Sequence, residues 1–377
     1  MKRKIGILTQ PLHDNYGGLL QAYALKETLE SLGHDVVVIN RQGRPTSTIR
    51  TIASIIKNKL KGKKSKPRLS EQQKEVISQH TLAFRKKYIP NLSHLITNNR
   101  DMWELNDMGF DAYVVGSDQS WRPKYSPRIS NYFLDFAKDE KDIKRISYAV
   151  SFGVSHWEFN NDDTKTCSSL AKAFDAISVR EDSGTSLVKE YLGMDAIHVL
   201  DPTMLLSKDH YLQIVKDEKQ LRVDGELKTY ILDKTFEKQR IVNAFEAELG
   251  IKSFEVLPKK RLGIDQIEDI NEFVFPNPAK WLRGYQDAKF VITDSFHGTV
   301  FSLLFNIPFV AIGNKRRGVA RFESLLTLFG LENRLITEPQ EFNINKFYNE
   351  KIDWDRVNAT LQQEKVKSMK FLKDNLE

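Results

Sequence analysis

Residues 289–313 read KFVITDSFHGTVFSLLFNIPFVAIG, and this stretch decides the fold class. Residues 290–293 form a buried strand. Asp294-Ser295-Phe296-His297-Gly298 follows, then a short apolar helix, then a second strand from Pro308. A histidine at a strand-to-helix junction sits where the helix's unpaired N–H groups point outward. Such junctions bind anions, and ligands in open α/β sheets gather at the carboxyl ends of strands. The competing reading makes Asp294 or Ser295 a helix cap and His297 a hydrogen-bonded first-turn residue. The segment alone leaves both open.

Outward from it, the same alternation recurs. Residues 5–8 read as a strand. Gly17-Gly18 opens a helix whose Leu19, Leu20, Tyr23, Ala24 and Leu29 have helical spacing. Gly33 ends that helix, and residues 36–39 are a second strand, giving a β-α-β unit with a right-handed crossover. Further strands are expected at 111–116, 145–150 and 176–179. A second set is expected at 197–200, 229–232, 253–257, 289–293 and 308–312. Helices fit at 236–249, 278–287, 298–306, 320–329 and 354–374. Alternation in both halves predicts an α/β protein of two Rossmann-like domains. Their expected limits are 1–185 and 186–345, with a helix in 346–377 packing back on the first.

The chain has 377 residues, 40% of them hydrophobic, which suits a soluble protein with real cores. Its net charge of +7 and pI of about 9.1 favour anionic partners. One cysteine, Cys167, excludes an internal disulfide framework and a cysteine-rich zinc site. Met1-Lys2-Arg3-Lys4 leads straight into a strand without a signal peptide. The longest apolar stretch, 300–312, is too short to span a bilayer. A cytoplasmic location is therefore expected. Segment 42–70 has no Asp or Glu and is dense in Lys and Arg. It is either a patch for anionic lipid or a phosphorylated acceptor, which would bring peripheral contact with the inner membrane face, or a solvated basic loop.

Several strand ends carry polar groups suited to chemistry. Asn15-Tyr16-Gly17-Gly18 offers close backbone approach and free N–H groups, or only a tight turn. Ser117 and Asp118 follow the strand ending at Val115, and Asp118 could orient or deprotonate a hydroxyl or cap a helix. Ser151 ends another strand. Arg180 follows a buried strand and would bind a carboxylate or phosphate, or pair with an acid. Lys315, Arg317 and Arg321 form a basic loop close in sequence to His297. His13, His34, His156, His198 and His210 lack metal-ligand spacing and read as structural. No G-x-x-x-x-G-K motif is present.

Together these segments resemble the polysaccharide pyruvyl transferase family. The matching elements are Asn15-Tyr16-Gly17-Gly18 with residues 20–25, residues 115–119, residues 147–153, residues 177–181, Asp201-Pro202-Thr203 and residues 294–298. The resemblance spans about residues 4–335 and implies a glycosyltransferase-B-like architecture, two domains facing a cleft. It also implies transfer of pyruvate, as a ketal, from phosphoenolpyruvate to a sugar of a surface polysaccharide or its lipid-linked precursor. No metal or redox cofactor is implied, and no nucleic-acid partner is expected. The acceptor would sit on the N-terminal domain and phosphoenolpyruvate on the C-terminal one. His297 would be the general acid and Asp118 the group orienting the attacking hydroxyl. Substrate would meet Arg180, Asp294, Ser295, Phe296, Gly298, Asn15, Gly17, Gly18, Ser117 and Ser151. Where many members carry Arg-Leu-His, this chain has Ser295-Phe296-His297; Lys315, Arg317 or Arg321 would supply the missing charge. A nucleotide-sugar glycosyltransferase of the same architecture and a non-catalytic glycan- or phosphate-binding protein are the alternatives.

Overall fold

The computed structural model describes residues 1–43, 69–313, 318–348 and 350–377. Most of the basic segment 42–70, and both Lys315 and Arg317, lie outside the described residues.

Two parallel sheets form the frame. The first has the order β2-β1-β3-β4-β5-β6. Its strands are β1 (Lys4–Leu8), β2 (Asp35–Val38), β3 (Ala112–Val115), β4 (Lys144–Val150), β5 (Ala176–Val179) and β6 (Ile197–His198). The second has the order β11-β10-β9-β7-β8, from β7 (Leu227–Tyr230), β8 (Ser253–Glu255), β9 (Phe290–Thr293), β10 (Phe309–Ile312) and β11 (Leu335–Ile336). β3, β9 and β10 are buried at every position, because helices cover both faces of a parallel sheet.

One assignment changes. Residues 197–198 pair with β5, through Ser178↔Ile197 and Val179↔His198. The first sheet therefore runs past the expected division at 185/186, which falls one strand early. Two residues carry too little pattern to say which sheet they join.

The principal helices are α1 (Tyr16–Ser31), α2 (Glu71–Tyr88), α3 (Asn161–Ala171), α4 (Lys208–Asp217), α5 (Phe236–Leu249), α6 (Pro278–Asp287), α7 (Phe296–Leu304), α8 (Ala320–Phe329) and α9 (Trp354–Leu376). Local chemistry sets their ends. Ser70 and Gln73 close a capping box on α2. Pro278 follows the Asn277 cap of α6. α9 returns to the first sheet: Ser368 Oγ accepts from Leu200 N at 3.0 Å, and Phe371 meets the Tyr148 ring at 6.3 Å. It also packs on α8.

The outer face of each sheet has its own apolar cluster. The inner faces share one. It joins Ile5, Leu20 and Val114 of the first half to Trp281, Phe301 and Phe309 of the second. Tyr16, at the start of α1, is the clearest link. Its ring lies 5.7 Å from Trp281 and 6.4 Å from Tyr230, and its hydroxyl donates to the Pro276 carbonyl at 3.0 Å. Burying one such ring contributes about 2–3 kcal/mol.

Strand order places the site. In the first sheet β1 lies between β2 and β3, and in the second β7 lies between β8 and β9. Connections leave in opposite directions at such points, so a crevice opens beyond the strand ends. The residues just past β1, β3, β7 and β9 (Gln10, Asp118, Leu232 and Ser295) all line one cavity.

Candidate active site

That cavity measures about 490 Å³ and lies between the N-terminal ends of α1 and α7. Asn15, Gly18, Asp118, Phe296, His297 and Arg321 are among its walls. The Asn15 side chain does not cap α1, whereas Ser295 Oγ accepts from Gly298 N at 3.4 Å and caps α7. Two helix N-termini therefore face one space, an arrangement that favours an anion.

His297 is 5% exposed and held from two sides. Its Nε2 stands 3.4 Å from Asp201 Oδ2, an ion-pair separation rather than a formed hydrogen bond. Its Nδ1 packs on Gly17, where a Cβ would overlap that nitrogen. Glycine at 17 is thus a space requirement of the histidine.

Asp201 is the hub. It is 2% exposed; its Oδ1 accepts from Thr203 N at 3.0 Å and Thr203 Oγ1 at 2.7 Å, while Oδ2 accepts from Arg180 Nη1 at 2.8 Å. Burial alone would raise its pKa; His297 and Arg180 outweigh that and hold it well below the usual carboxylate range.

Arg180 differs from the expected substrate ligand. Its other arm, Nη2, donates to Asp118 Oδ1 at 3.0 Å, and its guanidinium lies 4.5 Å over the Phe296 ring. It is 3% exposed and sits behind Phe296, holding two carboxylates in place. Among the described residues, Arg321 is the arginine on the cavity wall, 5.8 Å from the same ring. Its pKa is pushed down to about 10, first by burial and then by the Arg180 charge, with Asp118 and Glu181 opposing. It remains a cation at neutral pH.

Asp118 lines the cavity with its side chain 11% exposed. Burial would raise its pKa, but Arg180, His297 and Arg321 together pull it below its ordinary value. An ionised carboxylate held this low is a weak base, and orienting a hydroxyl suits it better than deprotonating one.

Of the other expected contacts, Ser117, Ser151 and Gly298 lie behind the wall, while Asp294 is part of it. Ser117 is fully buried; its N–H donates to Gln21 Oε1 at 3.1 Å and its hydroxyl to the Ala149 carbonyl at 2.8 Å. Ser151 is also fully buried, donating to Glu181 Oε1 at 3.0 Å. Asp294 accepts from Leu232 N at 2.6 Å, Asp233 N at 3.0 Å and Lys238 Nζ at 2.6 Å, so it fixes the loop after β7. Gly298 packs on Thr293, where a Cβ would overlap Oγ1. These four support the site without an open group to offer. His13, read as structural, lines the cavity. So do Gln10 and Tyr125, which the sequence did not single out. Asp201 stood in the sequence only within the matching run Asp201-Pro202-Thr203, with no role of its own.

A family model described as polysaccharide pyruvyl transferase matches residues 15–316. Among solved structures, the chain is similar to UDP-GlcNAc 2-epimerase from Neisseria meningitidis bound to UDP-GlcNAc. The identity is 12% and the TM-score 0.50, covering 98% of this chain and 99% of that one. It is also similar to a UDP-glucosyltransferase from Polygonum tinctorium, at 13% identity and TM-score 0.50, covering 99% and 98%. These likenesses establish a glycosyltransferase-B-like fold of two parallel α/β halves. No curated protein matched. Among the described residues no helix is long and apolar enough to cross a membrane.

Proposed function

The chain belongs to the polysaccharide pyruvyl transferase family, and from that premise we propose that it moves pyruvate from phosphoenolpyruvate, as a ketal, onto a sugar of a surface polysaccharide or its lipid-linked precursor. The observation that carries this reading is the histidine held between Asp201 and Gly17 at a helix N-terminus, with Arg321 on the same cavity wall.

The chemistry assigns each group a task. Arg321 and the two helix ends hold the donor's carboxylate and phosphate. His297, protonated, gives a ring N–H proton to the vinyl CH₂, which becomes the ketal methyl group. Asp201 holds the imidazolium in place from Nε2 and stabilises its charge. Asp118 orients the first sugar hydroxyl, which attacks the electron-poor carbon. Phosphate leaves with the C–O electron pair, and the second hydroxyl closes the ring. Of the two hydroxyl protons, one restores His297 and the other leaves with phosphate or solvent. Arg180 touches none of the reacting atoms; it keeps Asp118 and Asp201 in register.

The test is phosphate release from phosphoenolpyruvate with a panel of free and lipid-linked glycans, wild type beside His297→Asn. Acceptor-dependent release that disappears in a folded variant is expected. Undiminished release by the variant would remove His297 from the mechanism, and turnover of a nucleotide sugar in its place would overturn the donor assignment.

A further inference from the structure

A second, larger cleft opens from the first. It measures about 1370 Å³ and shares Tyr125 and Leu232 with the smaller cavity. Its remaining walls come mostly from the second half of the chain, around residues 233–238, 259–265 and 337–340. The smaller cavity suits a compact ligand with one sugar ring, within the range of ordinary small-molecule sites. The larger one far exceeds what the proposed donor needs.

Tyr125 stands at the neck. It is 39% exposed, and its ring is backed by the Arg122 guanidinium at 4.8 Å. Arg122 is itself 2% exposed and fixed by Glu158, at 2.7 Å from Nε and 3.0 Å from Nη2. Lys124 Nζ also lies 5.9 Å from the ring, and the result is an aromatic ring at the junction of two cavities. Opposite it, Arg261 donates to the Leu232 and Ile231 carbonyls at 2.8 and 3.0 Å, which ties the 259–265 loop to the end of β7.

Charge separates the ligand classes. The cationic Lys234 and Lys238 are matched by Glu255 and Asp294, each at 2.7 Å or less. Lys124, Lys259 and Arg261 also face this space, and Asp233, Glu237, Asp265 and Glu338 balance them. A polyanion would find little net attraction. Glu237 stands in the first turn of α5 on the cleft wall, at the helix end where a diphosphate would otherwise sit. Such a lining, with polar groups of both signs around one aromatic face, suits a hydroxyl-rich ligand.

We propose that this cleft is the acceptor subsite: an oligosaccharide lies along it, with the reacting sugar stacked on Tyr125 and its hydroxyls presented to Asp118 and His297. The idea rests on the pyruvyl-transfer reading, and it moves the acceptor from the N-terminal domain, where the resemblance had it, to the C-terminal walls.

The experiment is binding of the full chain to immobilised surface oligosaccharides and their constituent monosaccharides, without donor. Wild type is compared with Tyr125→Ala and Tyr125→Trp. Oligosaccharides should bind more tightly than monosaccharides. Tyr125→Ala should lose about tenfold in affinity and Tyr125→Trp should keep it, as removal of one stacking face implies. Excess UDP should not compete. Three results would overturn the proposal: no oligosaccharide captured by wild type, unchanged binding by Tyr125→Ala, or displacement by UDP. The donor reading stands apart, because it is scored by phosphate release. Release without glycan capture would sink the subsite alone, and capture without release would sink the donor alone.

Discussion

Replacing Asp201 with Asn tests the centre of the site. The substitution keeps the shape and removes one buried charge. An amide can still accept from Thr203, but its NH₂ then faces Arg180 Nη1 and His297 Nε2, which the carboxylate met at 2.8 and 3.4 Å. Donor would face donor on both sides. Removing one partner of a buried ion pair costs about 3–5 kcal/mol; Asp118 still holds the other arm of Arg180 at 3.0 Å, so a loss near 3 kcal/mol is expected. The catalytic effect is separate. A general acid that loses its orienting carboxylate forfeits roughly 10²–10⁴ in rate. The assay is steady-state phosphate release over a pH series, with denaturant unfolding on the same samples. Asp118→Asn is the control, since it also removes a partner of Arg180 but leaves the His297 contact intact. Asp201→Asn should be the more impaired of the two in kcat and should change the shape of the pH profile. Turnover within about threefold of wild type in folded Asp201→Asn would refute the orienting role, as would losses that merely track the unfolded fraction.

Two further predictions concern buried cations. Arg321→Gln should raise the KM for phosphoenolpyruvate more than it lowers kcat, because Arg321 lines the cavity; an unchanged donor KM would return the anion-binding role to other residues. Lys228 is fully buried among Phe254, Trp281 and Tyr285, its Nζ donating to the Trp281 carbonyl at 3.2 Å, and burial pushes its pKa down from 10.5 to about 7. Between these values the unfolded chain binds the proton and the folded one does not, so stability rises with pH from about 7 toward 10.5. Lys228→Met should remove that rise and be more stable at pH 7 by a few kcal/mol; parallel pH curves for the two proteins would contradict it.

Much of this architecture was legible in the sequence, because parallel strands buried on both faces leave runs such as Phe290-Val291-Ile292-Thr293 that nothing else explains. Short elements were not. The two residues of β11 have no pattern to read, and the two of β6 gave no hint of their partner. α7 begins at Phe296, two residues before the expected start, because Ser295 caps it and makes His297 helical. At the site, the residue types were readable but their directions were not. Ser117 and Ser151 end strands with small polar groups, as a cleft would want, yet both turn inward to bond the neighbouring backbone or Glu181. Arg180 has the chemistry to hold a substrate anion, and only the fold shows that Asp118 and Asp201, distant in sequence, already occupy it. Asp201 was hidden for the same reason: its meaning lies in Arg180 and His297, which reach it from other elements.

The apolar cluster shared by the two sheets, with the Tyr16 ring lodged against Trp281, has a consequence for traffic. Domains joined by a large hydrophobic contact do not swing apart at low cost. The proposed glycan acceptor would then have no jaw to pass through. It would be met from the side, at whichever sugar reaches the neck, and let go without the two halves parting. On that reading the choice of acceptor falls to the loops around the larger cleft, which stand apart from the shared core beneath them.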